Sequence, residues 1–84
     1  MNSMITIPRQ SDVIFLYWKK NPLQPHSPKR IFKFTIIGEV KPCTHQIFNG
    51  AKLKPALKCL LDNGFKIQFE QSTGVNGYIV LERN

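Results

Sequence analysis

The sequence of 84 residues contains few side chains that could catalyse a reaction: two cysteines, two histidines and five carboxylates. Covalent catalysis requires a nucleophile beside a base and an orienting group. The sequence has no G-x-S-x-G or H-E-x-x-H motif, no paired acids and no glycine-rich phosphate loop. Cys43 and His45 would share a face of a strand, but two ordinary loop residues near a sheet edge are the simpler interpretation. We therefore predict a protein that is not an enzyme and has no catalytic residues.

A zinc site is the other chemistry to consider. Cys43, His45, Cys59 and His26 would supply two sulfurs and two nitrogens, which suits tetrahedral zinc. Their spacing lacks the paired ligands of short zinc motifs, so we predict neither a metal nor a cofactor. Since small secreted domains usually carry four or more cysteines, we expect two reduced thiols, with Cys59 at the edge of the core. A Cys43–Cys59 bridge is the less favoured alternative.

The sequence also predicts a location in the cytoplasm without membrane contact. The longest apolar run covers six residues, 13–18, whereas a membrane-spanning helix needs about 20. The first nine residues do not combine a basic region with an apolar stretch, as a secretory signal would.

Positive charge is the most unusual property of the chain. Twelve Lys and Arg residues oppose five Asp and Glu residues, which gives a net charge of +7. Residues 1–58 hold ten of the basic groups and two acids, whereas residues 59–84 hold two basic groups and three acids. Because a basic field attracts polyanions, the first two-thirds of the chain is where we expect a partner to bind.

The candidate binding residues are cations that flank a proline-rich loop or lie on a strand or helix, together with one aromatic side chain. They are Lys19, Lys20, Lys29, Arg30, Lys33, Lys52, Lys54, Lys58 and Tyr17. Lysines beside aromatic rings on an open sheet face suit single-stranded nucleic acid, because phosphates take the charge and bases stack on the rings. We expect Phe15, Tyr17 and Tyr78 to supply these rings. Since Lys greatly outnumbers Arg, we predict loose backbone contact rather than readout of base edges.

A protein-binding module is the alternative hypothesis. Val13, Phe15, Tyr17, Ile31 and Ile37 could form an apolar patch larger than a monomer normally exposes. Such a domain would suit a phage- or mobile-element-type inhibitor or adaptor that binds a nucleic-acid-handling host protein. The same patch would also allow a homodimer through the sheet.

A small ribonuclease-type toxin is the third hypothesis. A helix followed by Asn63, Gly64, Phe65 and a hairpin is similar in outline to small toxin domains. An active site would then be assembled from Lys, Arg, His or Tyr on a basic sheet. However, residues 73–80 lack the histidine that one such family carries in its late strand.

Residue patterns predict four strands and one helix. The strands are expected over residues 13–18, 31–40, 65–70 and 78–81, because β-branched and aromatic residues dominate these segments or alternate with polar ones. Three prolines make residues 19–29 a loop. Apolar residues at helical spacing predict a helix over residues 51–63, with Gly64 as its left-handed stop.

These elements predict an α+β fold: a small antiparallel sheet of about four strands, in the order β-β-α-β-β, with one helix packed on one face. Residues 1–10 are expected to form a flexible N-terminal arm and residues 11–84 a single domain. On the strands, we expect the core to receive Phe32, Phe34, Ile36, Phe65, Ile67 and Phe69. On the helix, we expect an apolar stripe of Leu53, Ala56, Leu57, Leu60 and Leu61.

Overall fold

A computed structural model describes residues 10–84. It contains the strands β1 (Asp12–Lys19), β2 (Arg30–Ile37), β3 (Lys66–Ser72) and β4 (Asn76–Arg83), and the helix α1 (Leu53–Asp62). The strands form one antiparallel sheet in the order β2-β1-β4-β3. A short 3-10 helix, Thr44–Gln46, lies in the connection before α1. Within the described residues, no helix has the length and apolar character needed to cross a bilayer.

The predicted α+β class, the four antiparallel strands and the element order β-β-α-β-β are confirmed. The N-terminal arm was predicted over residues 1–10, and all of it except Gln10 lies outside the described residues. The boundary between the arm and the domain stays a prediction.

Strand β1 lies in the middle of the sheet, which explains why both of its faces are apolar. It pairs with β2 on one side and with β4 on the other. Ile14, Leu16 and Trp18 point to one face and are buried, whereas Phe15 and Tyr17 point to the opposite face and are half-buried. The first face is the core face of the sheet, and we call the second the open face.

Helix α1 and the segment before it close the core. Leu53, Ala56 and Leu60 are buried in one cluster with the core face of the sheet, and Leu57 packs against that cluster. Val40, Cys43, Ile47 and Ala51 add buried side chains from the connection between β2 and α1. The predicted apolar stripe is wrong at Leu61, which is 45% exposed. The stripe that contacts the sheet is therefore narrower than the apolar sector of the helix.

An irregularity in β2 overturns part of the predicted face assignment. The register with β1 shifts between Tyr17 and Trp18, so that Lys33 lies opposite Tyr17 and Ile31 lies opposite Trp18. Phe32 is the extra residue of this bulge, and its ring lies beside Tyr17 on the open face. Ile31, predicted to face outward or to join an exposed patch, is instead fully buried. The predictions for Phe32 and Ile31 were wrong because a bulge reverses the alternation.

The same kind of irregularity changes β3. The register with β4 shifts between Ile67 and Phe69, which leaves Gln68 as the extra residue. Phe69 therefore leaves the core face, and its ring stacks on Tyr78. Ile67 and, on β2, Ile36 are also exposed, because α1 covers the middle of the sheet better than its edges. Of the residues predicted for the core on the strands, Phe65 is buried and Phe34 packs against the core.

The predicted end of α1 is confirmed. Gly64 has φ of 95°, and the amide of Phe65 donates a hydrogen bond to the carbonyl of Leu60. This left-handed position favours glycine because a side chain there would be strained. The Asn63 amide group also donates to the carbonyl of Cys59, which ties the last turn to the chain that follows.

The prediction of two reduced thiols is contradicted. Cys43 and Cys59 form a disulfide, with their Cα atoms 5.8 Å apart. The bridge joins the connection before the 3-10 helix to the second half of α1. The prediction was based on how common disulfides are among small proteins of each cellular compartment. Such frequencies do not indicate which cysteines a fold brings together.

A partly buried ion pair fastens one end of the two central strands to the β2–α1 connection. Arg83 lies 3.0 Å from the carboxylate of Asp12, which is 4% exposed. The same guanidinium donates hydrogen bonds to the carbonyls of Glu39, Lys41 and Asn63. One side chain therefore links β1, β4, the β2–α1 connection and the end of α1.

Candidate nucleic-acid interface

Four aromatic rings cross the open face in a continuous row. Phe32, Tyr17, Tyr78 and Phe69 come from β2, β1, β4 and β3, in the spatial order of the strands. Their ring centroids are 6.4, 5.6 and 5.4 Å apart along this order. Aromatic pairs typically have ring centroids about 4.5–7 Å apart, so each ring contacts the next one. We call these four residues the aromatic row.

The two rings at the ends of the aromatic row are the most accessible. Phe32 is 43% exposed and Phe69 is 49% exposed, whereas the two tyrosines between them are half-buried. Apolar side chains exposed side by side on one face are a feature of interaction surfaces, so this face is the candidate surface. Among residues 10–84, no element packs over this face, since α1 lies on the other side of the sheet.

Two lysines are held directly at the aromatic row. The Lys33 ammonium lies 5.3 Å from the Tyr17 ring centroid, and the Lys19 ammonium lies 5.2 Å from the Phe32 ring centroid. These distances are within the range of cation–π attraction. The row therefore presents flat π surfaces and positive charge within a few ångströms of each other.

A shallow groove follows the same face. Tyr17, Lys19, Phe32 and Tyr78 line it together with polar residues of the β3–β4 hairpin. Gln71 and Asn76 add amide groups, and Ser72 and Thr73 lie beside them. Its volume is about 530 Å³, which falls in the range of small-ligand sites. The amides can donate and accept hydrogen bonds with base edges or sugar hydroxyls.

The groove continues into the loop between β1 and β2. Lys19 lines both the open-face groove and a second groove, whose other cations are Lys20 and Arg30. Lys20 donates a hydrogen bond to the carbonyl of Pro25, and Arg30 donates one to the carbonyl of Gly50. These bonds hold two positive groups in the loop groove, which shares Lys19 with the open-face groove. We call Lys19 and Lys33 at the aromatic row, together with Lys20 and Arg30 in the adjoining loop groove, the open-face cations.

The remaining four predicted cations lie elsewhere. Lys29, Lys52, Lys54 and Lys58 line a third groove beside α1, which meets the loop groove at Pro28. Lys29 lies over the ring of Trp18, whose side chain belongs to the core face of the sheet. The structure thus divides the eight predicted cations into two groups of four, and only one group adjoins Tyr17.

Charge on the open face is uneven along the strands. Lys19 and Lys33 lie at one end of the face, whereas Glu82 pairs across the strands with Val13 and Lys66 at the other end. The positive end coincides with the aromatic row and with the loop groove. A polyanion is therefore attracted to that end of the sheet.

Sequence patterns missed two rings of the row and both amides. Phe32 and Phe69 were predicted for the core because strict alternation was assumed through both bulges. Phe15, Tyr17 and Tyr78 were expected on the uncovered face, and all three lie there. Gln71 and Asn76 carry no distinguishing pattern, since polar residues near a hairpin are common. The Gly-containing turn between them was the only available signal.

The zinc ligand set considered from sequence is not assembled in the described residues. The sulfurs of Cys43 and Cys59 are bonded to each other. Among residues 10–84, no group of three or more His, Cys, Asp or Glu side chains is arranged to hold a metal ion. His26 lies in the β1–β2 loop and His45 in the 3-10 helix, so neither is on a strand.

Comparisons with known proteins supply no family. The chain matches no protein-family model, no curated protein and no solved structure. Functional inference therefore depends on the residues and geometry of this chain.

Proposed function

We propose that this protein binds single-stranded nucleic acid through the aromatic row and the open-face cations, without catalysing a reaction. The observation that carries the proposal is the unbroken row of four rings across four strands, with lysine ammoniums over two of them. This combination supplies both of the interactions that a single strand requires.

The binding mode follows from the spacing of the rings. Unpaired bases stack on aromatic side chains, and each stacked base contributes about 1–3 kcal/mol. Phe32 and Phe69 are the most accessible platforms, and they lie at opposite ends of the row. A strand that crosses the sheet would place bases on these rings and its phosphates beside the open-face cations.

The chemistry of the cations favours loose sequence preference. Three of the four open-face cations are lysines, which contact phosphate as point charges. Arg30, the fourth, already donates to the carbonyl of Gly50. Base-edge readout by bidentate arginine is therefore not part of the proposal, and any preference would come from Gln71 and Asn76.

Salt dependence tests how many cations contact phosphate. If the four open-face cations do so, a plot of log affinity against log salt has a slope of about −3 for a single strand. Affinity then falls roughly 50-fold between about 50 and 200 mM salt. If all eight predicted cations contacted one strand, the slope would approach about −6. The measurement is fluorescence anisotropy with labelled single-stranded RNA and DNA oligonucleotides.

Two results of this titration would contradict the proposal. One is weak binding at low salt that does not change as salt is raised. The other is a salt slope that persists unchanged when Lys19 and Lys33 are replaced by Gln. Replacing Lys41 and Lys66 by Gln is the matched control, because both are exposed and neither lines the open-face groove.

An inhibitor or adaptor that binds a nucleic-acid-handling protein is the second candidate. It is favoured by the apolar character of the open face, where Phe32, Ile37 and Phe69 are all exposed. Ile31 no longer belongs to this patch, because it is buried. This candidate predicts a complex with one cellular protein that survives nuclease treatment. The same face would serve a homodimer, which sedimentation would reveal.

A further inference from the structure

The groove beside α1 carries a second inference, independent of the proposed nucleic-acid site. Its floor is apolar and consists of Pro28, Leu53, Pro55 and Leu57. Four lysines, Lys29, Lys52, Lys54 and Lys58, line it as well. The groove encloses about 690 Å³, which is enough for several side chains of a partner. We call it the basic groove.

The four lysines of the basic groove are poorly neutralised within the described chain. Lys58 pairs with Asp62 at 2.9 Å, but both side chains are largely exposed, so this pair contributes little. The first turn of α1 contains no acidic residue, and Lys52 makes no side-chain cap. The positive end of the helix dipole adds to the lysine charge at the same place. The groove therefore favours a ligand with negative charge.

The apolar floor narrows the class of ligand. A single nucleic-acid strand would need aromatic rings on which its bases could stack, and no aromatic residue of the described chain lines this groove. A membrane surface is bound by apolar side chains that protrude into it, whereas this floor is concave. A concave apolar floor fits protruding side chains of a partner, as in grooves that bind amphipathic helices.

We propose that the basic groove binds an acidic amphipathic segment of a partner protein. Apolar side chains of that segment occupy the floor, and its flanking carboxylates lie against Lys29, Lys52, Lys54 and Lys58. Charge complementarity is the argument for this occupant, because, within residues 10–84, four lysines and no acidic residue line a groove that is otherwise apolar.

Nuclear magnetic resonance on the full chain tests the proposal. The probe is a synthetic peptide of about four helical turns, with Leu at positions i, i+3, i+4 and i+7 and Glu at the flanking positions. We expect saturable amide shifts at Lys29 and at residues 52–54 and 56–58, with no change at Tyr17 or Tyr78. A peptide with Ser in place of Leu should bind at least about tenfold more weakly, since it cannot fill the floor.

Charge reversal supplies the matched variants. Lys52→Glu together with Lys54→Glu should weaken peptide binding by at least about tenfold, because like charges then face each other. This change should not harm folding, since acidic residues are favoured in the first turn of a helix. Lys41→Glu with Lys66→Glu alters the net charge equally but lies outside the groove, and it should change affinity by less than about twofold.

The outcomes separate this inference from the proposed function. Absence of saturable shifts, equal binding of the Ser peptide, or shifts on the open face would overturn it. Stronger binding of anionic lipid vesicles than of the peptide, lost in the Lys52→Glu and Lys54→Glu variant, would also overturn it in favour of a membrane surface. None of these four results would affect oligonucleotide binding, which depends on the aromatic row and the open-face cations.

Discussion

Gly77 shows how one residue sets the geometry of the sheet at Trp18. It pairs with Trp18 on β1 and with Ser72 on β3. A Cβ atom at this position would lie 2.8 Å from the Trp18 ring and 2.7 Å from the carbonyl oxygen of Gln71. The absence of a side chain is therefore what allows the indole to be buried beside β4.

Gly77→Ala should consequently destabilise the fold by roughly 1–3 kcal/mol, because the added methyl group overpacks the site. Gly74→Ala is the matched control, since a Cβ there meets nothing within 4 Å. Urea unfolding of both variants, followed by Trp18 fluorescence, measures the difference. Equal midpoints for the two variants would show that the Trp18 contact is wrong.

Arg83 is the second residue whose loss should be costly. Its guanidinium serves Asp12 and three backbone carbonyls, and Asp12 is nearly fully buried. Arg83→Ala breaks this largely buried ion pair, although the amide of Glu39 still donates to Asp12, and we expect a loss of roughly 3–5 kcal/mol. Lys58→Ala breaks an exposed pair and should cost at most about 1 kcal/mol. Comparable losses in thermal or urea unfolding would contradict the role assigned to Arg83.

At the scale of elements, sequence patterns predicted the number, type and order of the strands and helix. A run of six apolar residues, mostly β-branched or aromatic, located β1, and Asn63 with Gly64 located the end of α1. The faces of β2 and β3 could not be predicted, because a bulge depends on how a strand pairs with its neighbour. The open-face aromatic row was therefore only half visible from sequence, through Tyr17 and Tyr78.

The disulfide was the less favoured alternative from sequence, and it links two cysteines that are 16 residues apart in the chain. Closing a loop of this length stabilises a protein by about 3 kcal/mol, chiefly through the unfolded chain. We expect reduction of the bridge to lower the free energy of unfolding by that amount. The measurement is urea unfolding of the same protein with and without reductant. A variant with Ala at both Cys43 and Cys59 should not respond to reductant.

Thiol titration checks the bridge directly. The native protein should present no free thiol without reductant and two after reduction. Two free thiols in the unreduced protein would contradict the structure at this point. The same titration in cell extract bears on the predicted cytoplasmic location, because persistent disulfides are typical of oxidising compartments.

At the scale of the whole molecule, the positive charge is divided between two surfaces. The sequence showed a basic first two-thirds of the chain and predicted one binding surface there. The structure places Lys19, Lys20, Arg30 and Lys33 near the aromatic row, and the other four predicted cations around the basic groove. A fold can separate neighbours in sequence, as it does for Lys29 and Arg30, and charge counting cannot detect this.

The measurement that tests the central claim most directly is oligonucleotide affinity of the Phe32→Ala and Phe69→Ala double variant. Both rings are about half exposed, so their removal should change stability little, whereas each base that no longer stacks costs about 1–3 kcal/mol. We predict that affinity for a single-stranded oligonucleotide falls at least tenfold, about 1.4 kcal/mol, while the urea midpoint stays close to that of the unaltered protein. Unchanged affinity in a folded double variant would contradict the assignment of the aromatic row as a nucleic-acid interface.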